Sequence, residues 1–144
     1  PPSQRLYLPR KMPDGDMKKG NHEERNASDE ANAREANKRK KLRKLKREFK
    51  LAVEFVMGTE GITDPRVTQF VQLGFYAFYK QATVGACKVP APSLFAPRKR
   101  LMWSAWSRLG NMKKTAAMRG YIKKLTKLEP EWKTQLESRN RSKL

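Results

Sequence analysis

Residues 64–85, Asp-Pro-Arg-Val-Thr-Gln-Phe-Val-Gln-Leu-Gly-Phe-Tyr-Ala-Phe-Tyr-Lys-Gln-Ala-Thr-Val-Gly, read as the start, body and end of one amphipathic helix. Asp64 is a side-chain acceptor placed to cap it, and Pro65 brings to the first helical position a preset φ and an N–H whose absence costs nothing there. Val67, Phe70, Val71, Gly74, Phe75 and Phe78 recur at three- and four-residue steps and so predict an inward stripe. Gly85 fits a stop for this helix. Tyr76, Tyr79, Lys80 and Thr83 share a second face, opposite much of that stripe.

Upstream of this helix the chain runs from Ser28 to Gly58 without glycine or proline, and helix formers dominate it. Leu42, Leu45, Phe49, Ala52, Val53 and Val56 fall on one face. A long helix from Ser28, as N-cap, to Met57 is predicted, its charged first half projecting from the domain. Downstream, Pro90, Pro92 and Pro97 mark an irregular connection. Arg98 to Leu109 reads as a third helix stopped by Gly110, and Met112 to Leu128 as a fourth, after which Pro130 interrupts. The expected fold is all-α, with four helices. Residues 1–45 form a basic arm, 46–133 the helical domain and 134–144 a basic C-terminal tail. Within the arm, residues 1–27 are too rich in Pro and Gly and too poor in apolar residues to fold alone.

Lys and Arg number 33 against 14 Asp and Glu, giving a formal net charge of +19. That excess points to a polyanionic partner. Both parts of the chain share it: residues 1–50 hold 16 bases and 8 acids, residues 51–144 hold 17 and 6. Enzyme chemistry finds little to work with. The one histidine, His22, lies in the arm, so the domain offers none for a triad; Cys87 is the lone cysteine, so no internal disulfide can form, and one Cys and one His do not by themselves make a zinc site. No glycine-rich phosphate loop occurs, and no apolar run approaches the roughly 20 residues that span a bilayer. No catalytic residue and no metal is assigned. The start at Pro1-Pro2 fits a trimmed or processed chain, including one that has lost an organelle-targeting peptide, although Asp14, Asp16, Glu23, Glu24, Asp29 and Glu30 argue against the arm itself being one.

Phe75-Tyr76-Ala77-Phe78-Tyr79-Lys80-Gln81-Ala82-Thr83-Val84-Gly85, followed in register by Pro92, Trp103-Ser104-Ala105-Trp106 and Ala117-Met118-Arg119-Gly120-Tyr121-Ile122, resembles the acyl-CoA-binding protein family over roughly residues 46–128. The resemblance implies four antiparallel helices in an up-down-down-up bundle. It implies a long-chain acyl-CoA as ligand with no cofactor required, and it places Tyr76, Lys80 and Tyr121 at the adenine and 3'-phosphate positions with Tyr79 beside them. An aromatic ring stacked on a base and an ammonium on a phosphate would perform that recognition. Trp103 and Trp106 are expected in the core. Four departures stand out. Met102 replaces the family's phosphate-binding lysine, with Arg98, Lys99 and Arg100 nearby. Ala86 stands where an acid is usual, and Lys113-Lys114-Thr115-Ala116 replaces an acidic helix start. The segment from Gly58 to Asp64 is longer than usual, with no basic residue recognised before the second helix.

Two functions follow. One is an RNA-contacting structural component of a large ribonucleoprotein, a mitochondrial ribosome in the first place, with the family's fold reused, acyl-CoA binding weakened and neighbouring proteins as further partners. Lys38, Arg39, Lys40, Lys41, Arg43, Lys44, Lys46 and Arg47 would contact phosphates, because the run from Lys38 to Lys50 holds nine bases and one acid. The other is an intracellular acyl-CoA carrier or sensor, in cytoplasm. Nothing in the sequence specifies a homo-oligomer.

Overall fold

The computed structural model describes residues 20–58, 62 and 65–144, with side chains from residue 24 onward. Five helices occur among them: α1 (Gly20–Met57), α2 (Gln69–Thr83), α3 (Pro97–Ser107), α4 (Lys114–Leu128) and α5 (Trp132–Ser142). The expected features of residues 1–19, the cap at Asp64 and the side chain of His22 lie outside the described residues.

The chain divides into two units, residues 1–38 and residues 39–144, with α1 running through both. In the first unit, α1 begins well before Ser28, whose hydroxyl bonds the Arg25 carbonyl within the helix and caps nothing. The side chains from Glu24 to Lys38 are exposed, and Arg34 and Glu30 pair at 3.6 Å across one turn. The division falls earlier than the boundary expected after residue 45, because Leu42 is half-buried and Leu45 packs against the core.

The second unit is held by aromatic side chains. Tyr121 meets Phe49 and Phe75 edge-on, with ring centroids at 5.3 and 5.0 Å, and Phe49 stacks on Tyr79 at 6.5 Å. These contacts knit α1, α2 and α4 together. A Cβ at Gly120 would stand 2.6 Å from Cε1 of Phe78, and one at Gly74 would stand 2.8 Å from Cε of Lys124, so α2 and α4 run antiparallel and close. Lys80 lies over Trp106, while Gln69 and Pro97 flank one groove, so α2 and α3 run parallel. The arrangement is the up-down-down-up bundle.

Several expected limits move for local reasons. Pro65 and Arg66 turn instead of opening α2, Thr68 is extended, and the helix begins only at Gln69. Phe70 is consequently 82% exposed rather than inward, since it stands one turn beyond the Gly74–Lys124 approach, where α4 is ending at Leu128. The third helix stops at Ser107 because Leu109 and Gly110 bond back to Trp106 and Ser107 in tighter turns. Lys113 is extended, which delays α4 to Lys114. Gly85 and Gly110, the stops expected of the second and third helices, have φ of +104° and +55°, in the left-handed region. Buried Gln81 ties the α3–α4 turn to α2 by donating from Nε2 to the carbonyls of Gly110 (3.0 Å) and Met112 (2.8 Å).

The last helix corrects the expected tail. Pro130 ends α4, but the chain folds again at once, and Trp132 and Leu136 are buried. Trp132 packs on Phe55 at 6.2 Å, and its indole donates to the Thr126 hydroxyl at 3.0 Å. Arg139 lies over the Phe55 ring at 4.4 Å, and Lys133 pairs with Glu48 at 2.6 Å. Phe55, absent from the predicted apolar face of α1, is 1% exposed because α5 covers it.

Candidate functional site

Two concavities adjoin along α2, and Gln72 and Tyr76, one turn apart, line both. The first is a cavity of about 410 Å³ with largely apolar walls, among them Val56, Met57, Phe75, Tyr79 and Tyr121. The second, about 550 Å³, lies between α2 and α3 and is lined by Leu73, Leu101, Met102 and Arg98. Volumes of this size suit a small molecule or part of a larger one. Their join at Tyr76 sets an apolar compartment beside one with a guanidinium on its wall.

Of the four expected ligand residues, Tyr76, Tyr79 and Tyr121 meet around the first cavity. Tyr121 is 1% exposed and forms part of the core as well as the wall. Burial, and secondarily the neighbouring Tyr79, pushes its phenol above the usual tyrosine value. Lys80 lines neither cavity. Its ammonium sits 4.9 Å from the centroid of the Trp106 ring, one helical turn beyond Tyr76. Met102 is in the second groove with Arg98, the one of the three neighbouring bases found on its wall. Arg100 is engaged elsewhere, donating to the Pro92 carbonyl at 2.8 Å.

The connection between α2 and α3 is fastened by α3 in reverse order. The Trp106 indole donates to the Gly85 carbonyl (2.9 Å), the Trp103 indole to that of Val89 (2.7 Å) and the Arg100 guanidinium to that of Pro92. The tryptophans thus have a positioning role: Trp106 is buried, as expected, and Trp103 only partly. Cys87 is half-buried in this connection, its Sγ 3.9 Å from the Val89 carbonyl. Since α2 begins at Gln69, Arg66 is a basic residue before the second helix after all, and its guanidinium donates to the Leu128 carbonyl at 3.1 Å.

Gln72 escaped sequence reading. Its one signal was a position four residues before Tyr76 on the same face. Among the described residues, no three His, Cys, Asp or Glu side chains converge as metal ligands, and no helix is long and apolar enough to cross a membrane. The eight basic residues expected to contact RNA, Lys38, Arg39, Lys40, Lys41, Arg43, Lys44, Lys46 and Arg47, are all exposed on α1.

Residues 46–125 match the family described as Acyl CoA binding protein. Acyl-CoA-binding domain-containing protein 5 of Gallus gallus is 46% identical over 61 residues, 42% of this chain and 12% of the relative. Acyl-CoA-binding domain-containing protein 4 of Homo sapiens is 50% identical over 50 residues, 35% of this chain and 19% of the relative. The chain thus spans less than a fifth of either relative's length. Among solved structures, the acyl-CoA-binding protein of Moniliophthora perniciosa aligns with a TM-score of 0.55 and 31% identity, covering 65% of this chain and 95% of that one. Acyl-CoA-Binding Protein 2 of Oryza sativa aligns with a TM-score of 0.53 and 33% identity, covering 60% and 90%.

Proposed function

Because this chain belongs to the acyl-CoA-binding protein family, we propose that its bundle binds a long-chain acyl-CoA ester and holds it without transforming it. The observation that carries the reading is the junction at Tyr76 of an apolar cavity with a groove bearing Arg98. An amphiphile with a hydrocarbon chain and a phosphorylated nucleotide needs those two environments side by side. Tyr76 offers a ring face for a base, Arg98 a fork for phosphate, and the walls of the first cavity an apolar surface for the chain. Lys80 would join them by leaving Trp106, an exchange of one weak cation–π contact for a charged one.

Titration calorimetry with a long-chain acyl-CoA tests this. Binding is expected for the wild-type chain, weakened by about 1–3 kcal/mol in Tyr76→Ala if the ring stacks on a base. Met102→Lys should tighten it by about 1–3 kcal/mol, because a charged donor replaces a thioether in the groove. Absence of binding by the wild-type chain would defeat the reading, and indifference to both substitutions would move the ligand elsewhere.

A second reading, RNA contact through α1, is supported by the exposure of all eight bases from Lys38 to Arg47. The ribonucleoprotein setting, with a mitochondrial ribosome foremost, belongs to this reading, and a cytoplasmic setting to the carrier. Ligand carriage comes first of the two, because the family match and the cavities both support it.

A further inference from the structure

Between Pro65 and Leu128 the sequence contains no Asp or Glu, while thirteen Lys and Arg residues lie in that span. Helices α2, α3 and α4 therefore present positive charge that no acid of their own offsets. Within the span, Ser93 to Ala96 form a tight turn: the Ala96 N–H donates to the Ser93 carbonyl at 3.0 Å, and the Phe95 N–H to the Ser93 hydroxyl at 3.2 Å. The central positions of such a turn are ordinarily Gly, Pro, Asn, Asp or Ser, whose backbone preferences or local side-chain hydrogen bonds suit it. Here they are Leu94 and Phe95, 77% and 97% exposed. The turn is anchored from behind by the bond from Arg100 to Pro92, so the pair is displayed on a built support. Arg98 and Lys99 follow directly, exposed in the first turn of α3, where positive charge opposes the helix dipole unless an anion stands near. Phe70, also exposed, is at the same end of the bundle, since its neighbour Gln69 and Pro97 flank one groove.

We propose that this end of the bundle docks on an anionic lipid surface, with Leu94 and Phe95 entering the interface and Lys99 meeting the lipid phosphates, while Arg98 stays on the wall of the α2–α3 groove. A protruding aliphatic–aromatic pair beside exposed bases is the chemistry of interfacial binding, in which apolar insertion and attraction to acidic headgroups act together. A nucleic acid would satisfy the cationic side chains and a stacked base could cover Phe95, but the aliphatic Leu94 would stay in water. The docking goes beyond the ligand reading and does not require it. Its geometric consequence is that the α2–α3 groove, with Pro97 and Arg98 on its wall, opens beside the membrane.

The test is sedimentation of the full chain with phosphatidylcholine vesicles with and without phosphatidylserine, at low and high salt. Wild-type protein should partition onto the acidic vesicles, less so as salt rises. Leu94→Ser with Phe95→Ser leaves every charge in place and alters only exposed side chains, so circular dichroism should be unchanged. Partitioning should nonetheless fall roughly ten- to hundred-fold, as expected for losing the burial of about half the surface of two large apolar groups. An unchanged partition would overturn the proposal and assign vesicle binding to charge alone, including that of α1. In a gain-of-signal variant, Phe95→Trp, emission should be quenched by brominated lipid beyond that of the wild type, and absence of extra quenching would likewise overturn it. If the double substitution weakens binding to RNA but not to vesicles, the surface belongs to a nucleic acid and the proposal fails. Calorimetry with acyl-CoA on the same double variant keeps the two readings separate, since neither residue lines the ligand cavities.

Discussion

The phenol of Tyr121 lies in the core yet closes one side of the candidate ligand cavity. Burial holds its proton above the usual value, while in the unfolded chain it ionises near pH 10. Its contribution is therefore intact below about pH 10 and is lost as pH rises from there through the folded-state value, by at most about 1.4 kcal/mol per pH unit. Urea unfolding of wild type and Tyr121→Phe should show a difference that is constant up to about pH 10 and then shifts in favour of the phenylalanine variant. A constant difference throughout would mean that the folded phenol ionises as freely as the unfolded one. Other titrating groups are common to both proteins and cancel. The tyrosines around the cavity were legible in sequence because the family resemblance singled out Tyr76 and Tyr121, and because spacing puts Tyr79 on the same face of α2 as Tyr76. Two things were not. Gln72 is polar without being chemically distinctive, and the seat of Lys80 over Trp106 depends on the parallel course of α2 and α3, which no local pattern encodes.

Among the elements, those with strong periodicity and a glycine or proline at an end were legible, and their limits failed where turn geometry intervened. Gly85 and Gly110 ended their helices' extent much as read, whereas Pro65 opened a turn instead of a helix. The fifth helix was missed because its apolar content is only Trp132 and Leu136 in an otherwise polar stretch, too sparse to declare a face. Both are nevertheless buried against the bundle, and α5 lies beyond the residues that match the family. Ending the chain at Pro130 should thus destabilise the domain by at least about 4 kcal/mol, since truncating a buried Trp or Leu alone costs about 2–5 kcal/mol. Urea midpoints of the two chains would measure it. Equal midpoints would make α5 a passive appendage.

For the whole molecule, the net charge of +19 is the property that most affects encounters with polyanions, and α1 displays its densest run. Replacing Lys40, Lys41, Arg43, Lys44, Lys46 and Arg47 by glutamine leaves Leu42 and Leu45 to pack as before. If α1 contacts RNA phosphates, the slope of log affinity against log salt should flatten by about 0.7–0.9 for each contact removed. Fluorescence anisotropy with a single-stranded RNA across a salt series reads the slope directly. An unaltered slope would take RNA binding away from α1. Elsewhere the molecule solves a different problem, how to keep a proline-rich connection in place without regular structure, by giving the carbonyls of Gly85, Val89 and Pro92 to side chains of α3. Such a seam fastens acceptors and protects no amide of its own. Order and hydrogen-exchange protection therefore part company along it: a segment held in register by two indoles and a guanidinium need not slow the exchange of its own N–H groups, and the emission of Trp103 and Trp106 becomes the natural gauge of whether the seam is closed.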